Sequence, residues 1–340
     1  MSSGNVWNRV DLGGGAATDL ERLIEGVFVY GHRNHSGPFA AVVDTDGRVH
    51  TASVPGAGAV TSASFCESFD LVVGRERPTL FAGDVPGGPG VSGHGLERVD
   101  EFYTDGAVRL WAACGDEDPM YLTIRSDGRL LIGEPHDAEH NPDAPGLRAA
   151  DGILEAELLV GAGESNLYVA GRLHGGGHPA GQQLWVGGDG WQRLDPDPAP
   201  DAFTDIFSTH EPVIAGHAQA RPVLIDAYGR AMEAPPVSLD PQHPHVCVAR
   251  AGSYAPDAVR YYPWAPDPSL VPPVEGLLVA VQAVDAGPQL WSRGPKGWSV
   301  QDLPPGRLAA ARVEQHESEN TFVWVVISDQ LWRVQVQPAP

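Results

Sequence analysis

Basic charge is scarce in this 340-residue chain. Lysine and arginine number 22 against 44 aspartates and glutamates, a formal charge of −22, and Lys296 is the only lysine. That balance repels phosphate backbones and anionic lipid, so neither nucleic acid nor a membrane is expected as a partner. Cysteine is scarce too. Cys66, Cys114 and Cys247 lie far apart in apolar surroundings and offer neither a disulfide framework nor zinc-ligand spacing. They read as buried thiols of a reducing compartment. No continuous run of about 18 apolar residues is available to cross a membrane. The opening MSSGNVWNRVDLGGG shows no basic region followed by an apolar one, so no secretory leader is expected. The expected location is the cytoplasm. Catalytic signatures are missing as well: no Gly-x-Ser-x-Gly elbow, no Gly-x-x-x-x-Gly-Lys phosphate loop and no dinucleotide fingerprint opening a helix.

Apolar material and turn residues are plentiful. Hydrophobic residues make 42% of the chain, enough for a sizeable core, and glycine (41) with proline (31) makes about a fifth. Short apolar runs of four to seven residues recur between Gly, Pro, Asp and Asn, which is the pattern of strands and turns. One unit repeats seven times as an apolar strand, a tight polar loop and a second apolar strand. It reads GVFVY-GHRNHSGP-FAAVV, DLVV-GRERP-TLFAG, VRLWAA-CGDEDP-MYLTI, AELLV-GAGES-NLYVAG, DIFS-THEP-VIAG, VCVA-RAGSYAPD-AVRYY and AAARV-EQHESEN-TFVWVV. Loop residues His32, Arg75, Asp116, Glu164, Glu211, Tyr254 and Glu317 then recur at intervals of about 41 to 63 residues, the period of a propeller blade. The longest interval contains a proline-rich insertion at about 263–273. A β-sandwich pair would show no such constant period.

A second unit supports the first: AAVV-DTDG-RVHTA, YLTI-RSDG-RLLIG, LWV-GGDG-WQRLD, VLI-DAYG-RAMEA and LWS-RGPKG-WSVQDLP. Its glycines supply the positive φ of tight hairpins. Trp191 and Trp298 follow two of them, where an aromatic covers the gap between blades. The last repeat ends without an outer strand, and residues 5 to 12 (NVWNRVDL) match the outer-strand strings GWQRLDP and GWSVQDLP. The expectation is therefore all-β: a single domain over residues 1–340, a seven-bladed β-propeller closed by pairing of its N- and C-terminal strands.

The strings LWVGGDGWQRLD, LWSRGPKGWSVQDLP and QLWRVQV resemble the degenerate repeats of tectonin-type lectin propellers and the Asp-box repeats of sialidase-like propellers. The Asp-box order of Ser-x-Asp-x-Gly-x-x-x-Trp is not met, since the nearest segment, Gly187 to Trp191, lacks the serine and shortens the spacing. The resemblance implies a propeller fold and carries no functional residue across.

Seven of the thirteen histidines fall on four loop segments, at His94, His136 and His140, His174 and His178, and His243 and His245. These segments are expected to share one face as links between blades, and long loops on a rigid ring are where function sits. Two His-x-x-x-His segments with Asp137 between the first pair make His136, Asp137, His140, His174 and His178 candidate metal ligands. On a loop that spacing permits a metal without requiring one, and solvated polar loops read the same way. His94, His243 and His245 are candidate ligand-binding residues, with Trp264 in the insertion beside Tyr261 and Tyr262. The seven tight loops are expected on the opposite face, where Arg75 and Arg77 offer a local anion anchor among carboxylates. Such charges also simply solubilise hairpins.

Two functions are expected from these features. One is a monomeric binding propeller that presents a loop-rich face to a partner protein or a carbohydrate and needs no cofactor. The alternative is a small-molecule enzyme, a lyase, hydrolase or isomerase, with a histidine-rich site holding a divalent transition metal at the channel mouth. Fold alone decides neither.

Overall fold

The computed structural model describes residues 6–23, 26–33, 37–65, 69–75, 78–86, 95–99, 107–114, 119–125, 130–133, 153–161, 167–174, 182–187, 192–207, 213–250, 276–315 and 321–336. Every regular element among them is a strand. They begin with β1 (Asn8–Val10), β2 (Gly15–Arg22), β3 (Val27–Arg33), β4 (Gly37–Val43) and β5 (Val49–Thr51). Next come β6 (Val60–Phe65), β7 (Phe69–Val73), β8 (Thr79–Gly83) and β9 (Glu97–Arg98), then β10 (Ala107–Cys114), β11 (Pro119–Arg125) and β12 (Leu130–Gly133). The series continues through β13 (Ile153–Gly161), β14 (Leu167–His174), β15 (Gln183–Gly187) and β16 (Gln192–Leu194), then β17 (Ala202–Phe207), β18 (Val213–Ala218), β19 (Arg221–Ile225) and β20 (Ala231–Met232). It ends with β21 (Val246–Arg250), β22 (Leu277–Ala283), β23 (Gly287–Gly294) and β24 (Gly297–Asp302), followed by β25 (Leu308–Gln315), β26 (Thr321–Ile327) and β27 (Gln330–Val336).

Two compact units divide the chain, Leu12–Leu194 and a C-terminal unit of Asp195–Pro340 joined by Met1–Asp11. The first unit holds the antiparallel sheets β2-β3-β4-β5, β6-β7-β8-β9, β10-β11-β12 and β13-β14-β15-β16. The C-terminal unit holds β17-β18-β19-β20, β21-β22-β23-β24 and β25-β26-β27-β1.

The expectation of seven equivalent blades closed at the termini is corrected here. Six sheets are complete four-stranded blades, and the group β10-β11-β12 has three strands among the described residues. The terminal strands do pair, with Asn8 opposite Arg333, Arg9 opposite Trp332 and Val10 opposite Leu331. That pairing supplies the fourth strand of one sheet within the C-terminal unit, which is a narrower result than closure of a ring.

The continuous apolar runs follow from packing on both faces. All seven residues of β22, LLVAVQA, are buried. Leu277, Val279 and Val281 join Val213, Ala215 and Leu224 of the preceding blade. Leu278 and Ala280 join Ala311, Val313, Val323 and Val325 of the following one. Side chains alternate along a strand, so a strand held between two neighbours is apolar along most of its length, with Gln282 the one polar residue of β22. Each Val or Leu so buried stabilises the fold by about 1.5–3 kcal/mol.

Polar residues interrupt the inner strands at one recurring place. A one-residue bulge separates Ala17 from Asp19 in β2 and Phe203 from Asp205 in β17. In both, the extra residue is a threonine, giving Thr18-Asp19 and Thr204-Asp205. Each aspartate accepts a bond from the next backbone N–H, Leu20 at 2.8 Å and Ile206 at 3.0 Å. The neighbouring strand carries Gly31 or Gly216, where a Cβ would meet the carbonyl oxygen of Ala16 or Ala202 at 2.3 and 2.4 Å. The bulge and the glycine therefore form one device, and β13 and β14 repeat it with Gly171 opposite Ala156.

Candidate functional site

Successive turns of an antiparallel meander alternate between its two ends. The links between blades thus share an end with the turns between second and third strands. This corrects the expected grouping of the seven tight loops. Those after β3 and β7 join second to third strands, whereas those after β10, β13, β17, β21 and β25 join first to second strands. Arg75, which is exposed, follows β7 and so lies at the linker end of its blade. His32 and Arg33 close β3 at the linker end of theirs.

The linker end of the C-terminal unit is fixed by backbone bonds among its links, turns and blades. The Leu239 N–H donates to the carbonyl of Ala220, Asp240 to Gln282, Gln282 to His245 and Val284 to Ser238. The Gln282 side chain spans the next gap. Its Nε2 donates to the Gly306 carbonyl at 3.3 Å, and its Oε1 accepts from the Leu308 N–H at 2.9 Å. His245 Nε2 lies 2.8 Å from the carbonyl of Ala309, the bulged residue of β25, and 3.3 Å from the Cys247 Sγ. His217, at the end of β18, has its pKa lowered by burial, against the raising field of Asp201 and with a further lowering from His245. It is thus held toward its neutral form.

Deeper along the same inner strands, three consecutive blades meet at one carboxylate. Asp205 is buried on β17, and its Oδ2 accepts from the Val248 N–H of β21 at 2.9 Å and from Arg312 Nη1 of β25 at 3.1 Å. Arg312 Nη1 also donates to the Ala311 carbonyl at 2.9 Å. Thr204 Oγ1 adds a 2.6 Å bond to the Val246 carbonyl. An ion pair sheltered on both sides is costly to break from one side only, because the remaining charge stays in low dielectric. These groups are committed to holding the blades in register.

Charge separates at the linker end. Asp11, Asp195, Asp197, Asp201, Asp285 and Asp329 are exposed there and Asp240 is half-buried, while Arg221 and Arg307 are the exposed arginines of the same links and turns. Two of the carboxylates also shape the backbone: Asp201 Oδ2 accepts from Gln219 N and Asp240 Oδ1 from Gln242 N. Val284, 48% exposed at the tip of the β22–β23 turn, places an apolar side chain among them.

Of the residues singled out in the sequence, His94, His136, Asp137, His140, His178, Trp264 and Arg77 lie outside the described residues. His174 ends β14 opposite Ile153. His243 is exposed, and its N–H closes a turn onto the Asp240 carbonyl. His245 is the expected residue that the structure brings into a polar cluster. Among the described residues, no group of three His, Cys, Asp or Glu side chains is arranged to hold a metal ion. The reading missed Asp201, Asp205, His217 and Arg312. A signal for Asp205 was present, since the Thr-Asp pair of AATDL recurs in FTDIF.

No sequence family matches the chain, and no curated protein does. Among solved structures the chain is similar to YCF48 bound to a D1 peptide, with a TM-score of 0.56 at 11% identity over 99% of this chain and 98% of that one. It is similar to the Neurospora crassa Pan2 WD40 domain, with a TM-score of 0.54 at 11% identity over 100% and 99% of the two chains. It is also similar to the β-propeller domain of Myceliophteria thermophila Cps50 (Swd1), with a TM-score of 0.51 at 11% identity over 97% and 99%. The fold is a β-propeller. Among the described residues no helix is long and apolar enough to cross a membrane.

Proposed function

We propose that this chain is a binding propeller whose C-terminal unit presents its linker end to a lysine- or arginine-rich segment of a partner protein. The observation that carries the reading is the pairing of a fixed backbone with one-sided charge. Seven aspartates stand against two arginines on links and turns that are bonded from blade to blade. A surface held in place loses little conformational entropy on binding, and a single-sign field speeds the encounter with an opposite charge. Val284 supplies the apolar contact that charge alone lacks. The peptide in the YCF48 structure is consistent with a propeller of this length receiving a peptide. The buried polar groups point the same way, since Asp205 and Arg312 are engaged with each other and with the backbone.

Zero-length carbodiimide coupling to a lysine-rich peptide, read by mass spectrometry, tests the placement. Adducts at Asp195, Asp197, Asp285 and Asp329 are expected. Adducts spread evenly over the chain's carboxylates, or none, would remove this end as the binding surface.

A further inference from the structure

Among the described residues, the outermost strand of one blade is longer than those of the other four-stranded blades. β24 has six residues, whereas β5, β16 and β1 have three and β9 and β20 have two. Proteins usually keep such edges short, because an exposed strand is a template for another. β24 is the last strand in the order β21-β22-β23-β24. It also carries Val300, which is 50% exposed and one of few large apolar side chains left open to water among the described residues.

Parity sets which residues of β24 can receive a neighbour. Alternate residues of an antiparallel strand bond to opposite sides. The Leu303 N–H, just past the strand, donates inward to the Pro288 carbonyl at 3.0 Å, in line with Gly294 opposite Gly297 and Gln289 opposite Asp302. Odd positions therefore bond to β23, and Trp298, Val300 and Asp302 turn their backbone groups outward. The same even positions, with Lys296 in the turn before them, share one face of the sheet.

We infer that β24 is a homodimer edge, paired antiparallel with β24 of a second copy about a two-fold axis through Ser299. That register sets outward-bonding positions opposite one another, as backbone bonding across the edge requires. Trp298 then faces the second copy's Val300, and Lys296 faces its Asp302, and symmetry makes each contact twice. A one-residue shift would set outward positions against inward ones and lose the ladder. The charges agree with the backbone: Lys296, the chain's only lysine, and Asp302 are both exposed, with Asp302 Oδ1 accepting a 3.3 Å bond from Gln289 Nε2 on its own sheet. The strand is complementary to itself in hydrogen bonding, charge and apolar contact at a single register.

Sedimentation velocity on the full chain across about 1 to 200 µM tests this. A reversible monomer–dimer equilibrium is expected, and Val300→Lys is expected to raise its dissociation constant about tenfold or more. Val300 is half-exposed, and an unchanged circular dichroism spectrum and melting temperature would show that the fold is intact. Lys296→Asp and Asp302→Lys should each weaken the dimer by setting like charges opposite one another. The double variant K296D/D302K should recover it, because the swapped pair is again complementary. A monomer at every concentration, a dimer indifferent to Val300→Lys, or a double variant no stronger than the single ones would each overturn the inference. None of these outcomes bears on the aspartate-rich end.

Discussion

Arg312 reaches Asp205, 107 positions earlier in the chain, and bonds through Nη1 to the Oδ2 that also takes the Val248 N–H. Three inner strands from three successive blades thus converge on one oxygen atom. The side chains are 14% and 7% exposed, so little water screens the pair. Such a contact forms only when all three blades are in place, which makes it a sensor of the unit's assembly.

Breaking that contact from one side should be costly. Asp205→Ala or Arg312→Ala is expected to lower the stability of the C-terminal unit by about 3–5 kcal/mol. The double variant should lose less than the sum of the two, since neither charge is then left alone. Urea denaturation of the four proteins measures the coupling. Additive losses would show that the two side chains act independently.

The repeated bulge makes a paired prediction. Gly31→Ala and Gly216→Ala each drive a methyl group into a main-chain carbonyl, that of Ala16 or Ala202. Backbone cannot swing aside as a side chain can, so each substitution should cost about 1–3 kcal/mol. Equal shifts in two sheets that share no sequence neighbours would show that the device is one and the same. Thermal melts of both variants supply the comparison.

Deleting residues 1 to 10 should lower the melting temperature by several degrees. The truncation removes β1 from β27 and takes away Trp7, which packs on the cluster that holds Val323, Val325 and Val334. It also uncovers a strand edge. An unchanged melting temperature would mean that β1 contributes no stability to its sheet.

His217 gives a pH dependence with a definite sign. Its folded pKa is lowered by burial, with Asp201 opposing and His245 adding to the effect. The unfolded chain therefore binds the proton more readily, so His217's contribution is fully present above about pH 6.5 and is lost as pH falls toward the lowered folded value. His217→Gln should flatten the stability profile on the acid side of about pH 6.5. A profile of unchanged slope would assign that titration to other groups.

Much of this architecture was legible in the sequence, and the misreadings have physical causes. Strands held between blades are apolar along most of their length, so β3, β22 and β26 stand out as runs. The terminal pairing was legible because an outer strand's Trp-x-Arg-x-Asp pattern survives at residues 7 to 11. The first inner strand was not recognised. β2 reads GAATDLER, with Thr18 and Asp19 at the bulge and a charged end, so no apolar run marks it in the sequence. The loop after β3 was therefore grouped with first-hairpin loops elsewhere. Loop composition records exposure, and both ends of a blade are exposed.

The site was less legible for a related reason. Histidine pairs are conspicuous in sequence, whereas the partners of His245, the Ala309 carbonyl and the Cys247 Sγ, are not. The aspartates of the linker end are single residues spread from Asp11 to Asp329, one to three per link or turn. Only the order of strands brings them to one end. Asp205 and Arg312 sit inside apolar strings, FTDIF and AAARV, whose period marks strand without marking partnership.

The central claim is that this propeller's C-terminal unit receives a basic segment at its linker end. Fluorescence anisotropy with a labelled arginine- and lysine-rich peptide tests it directly, at about 50 and 200 mM salt, on the unaltered chain and on a triple variant. The variant is Asp195→Asn, Asp285→Asn and Asp329→Asn, three exposed positions. The account predicts saturable binding that weakens as salt rises and falls about tenfold or more in the triple variant, with an acidic peptide of equal length left unbound. Binding that is equally tight in the triple variant, or no binding of the basic peptide at low salt, would contradict it.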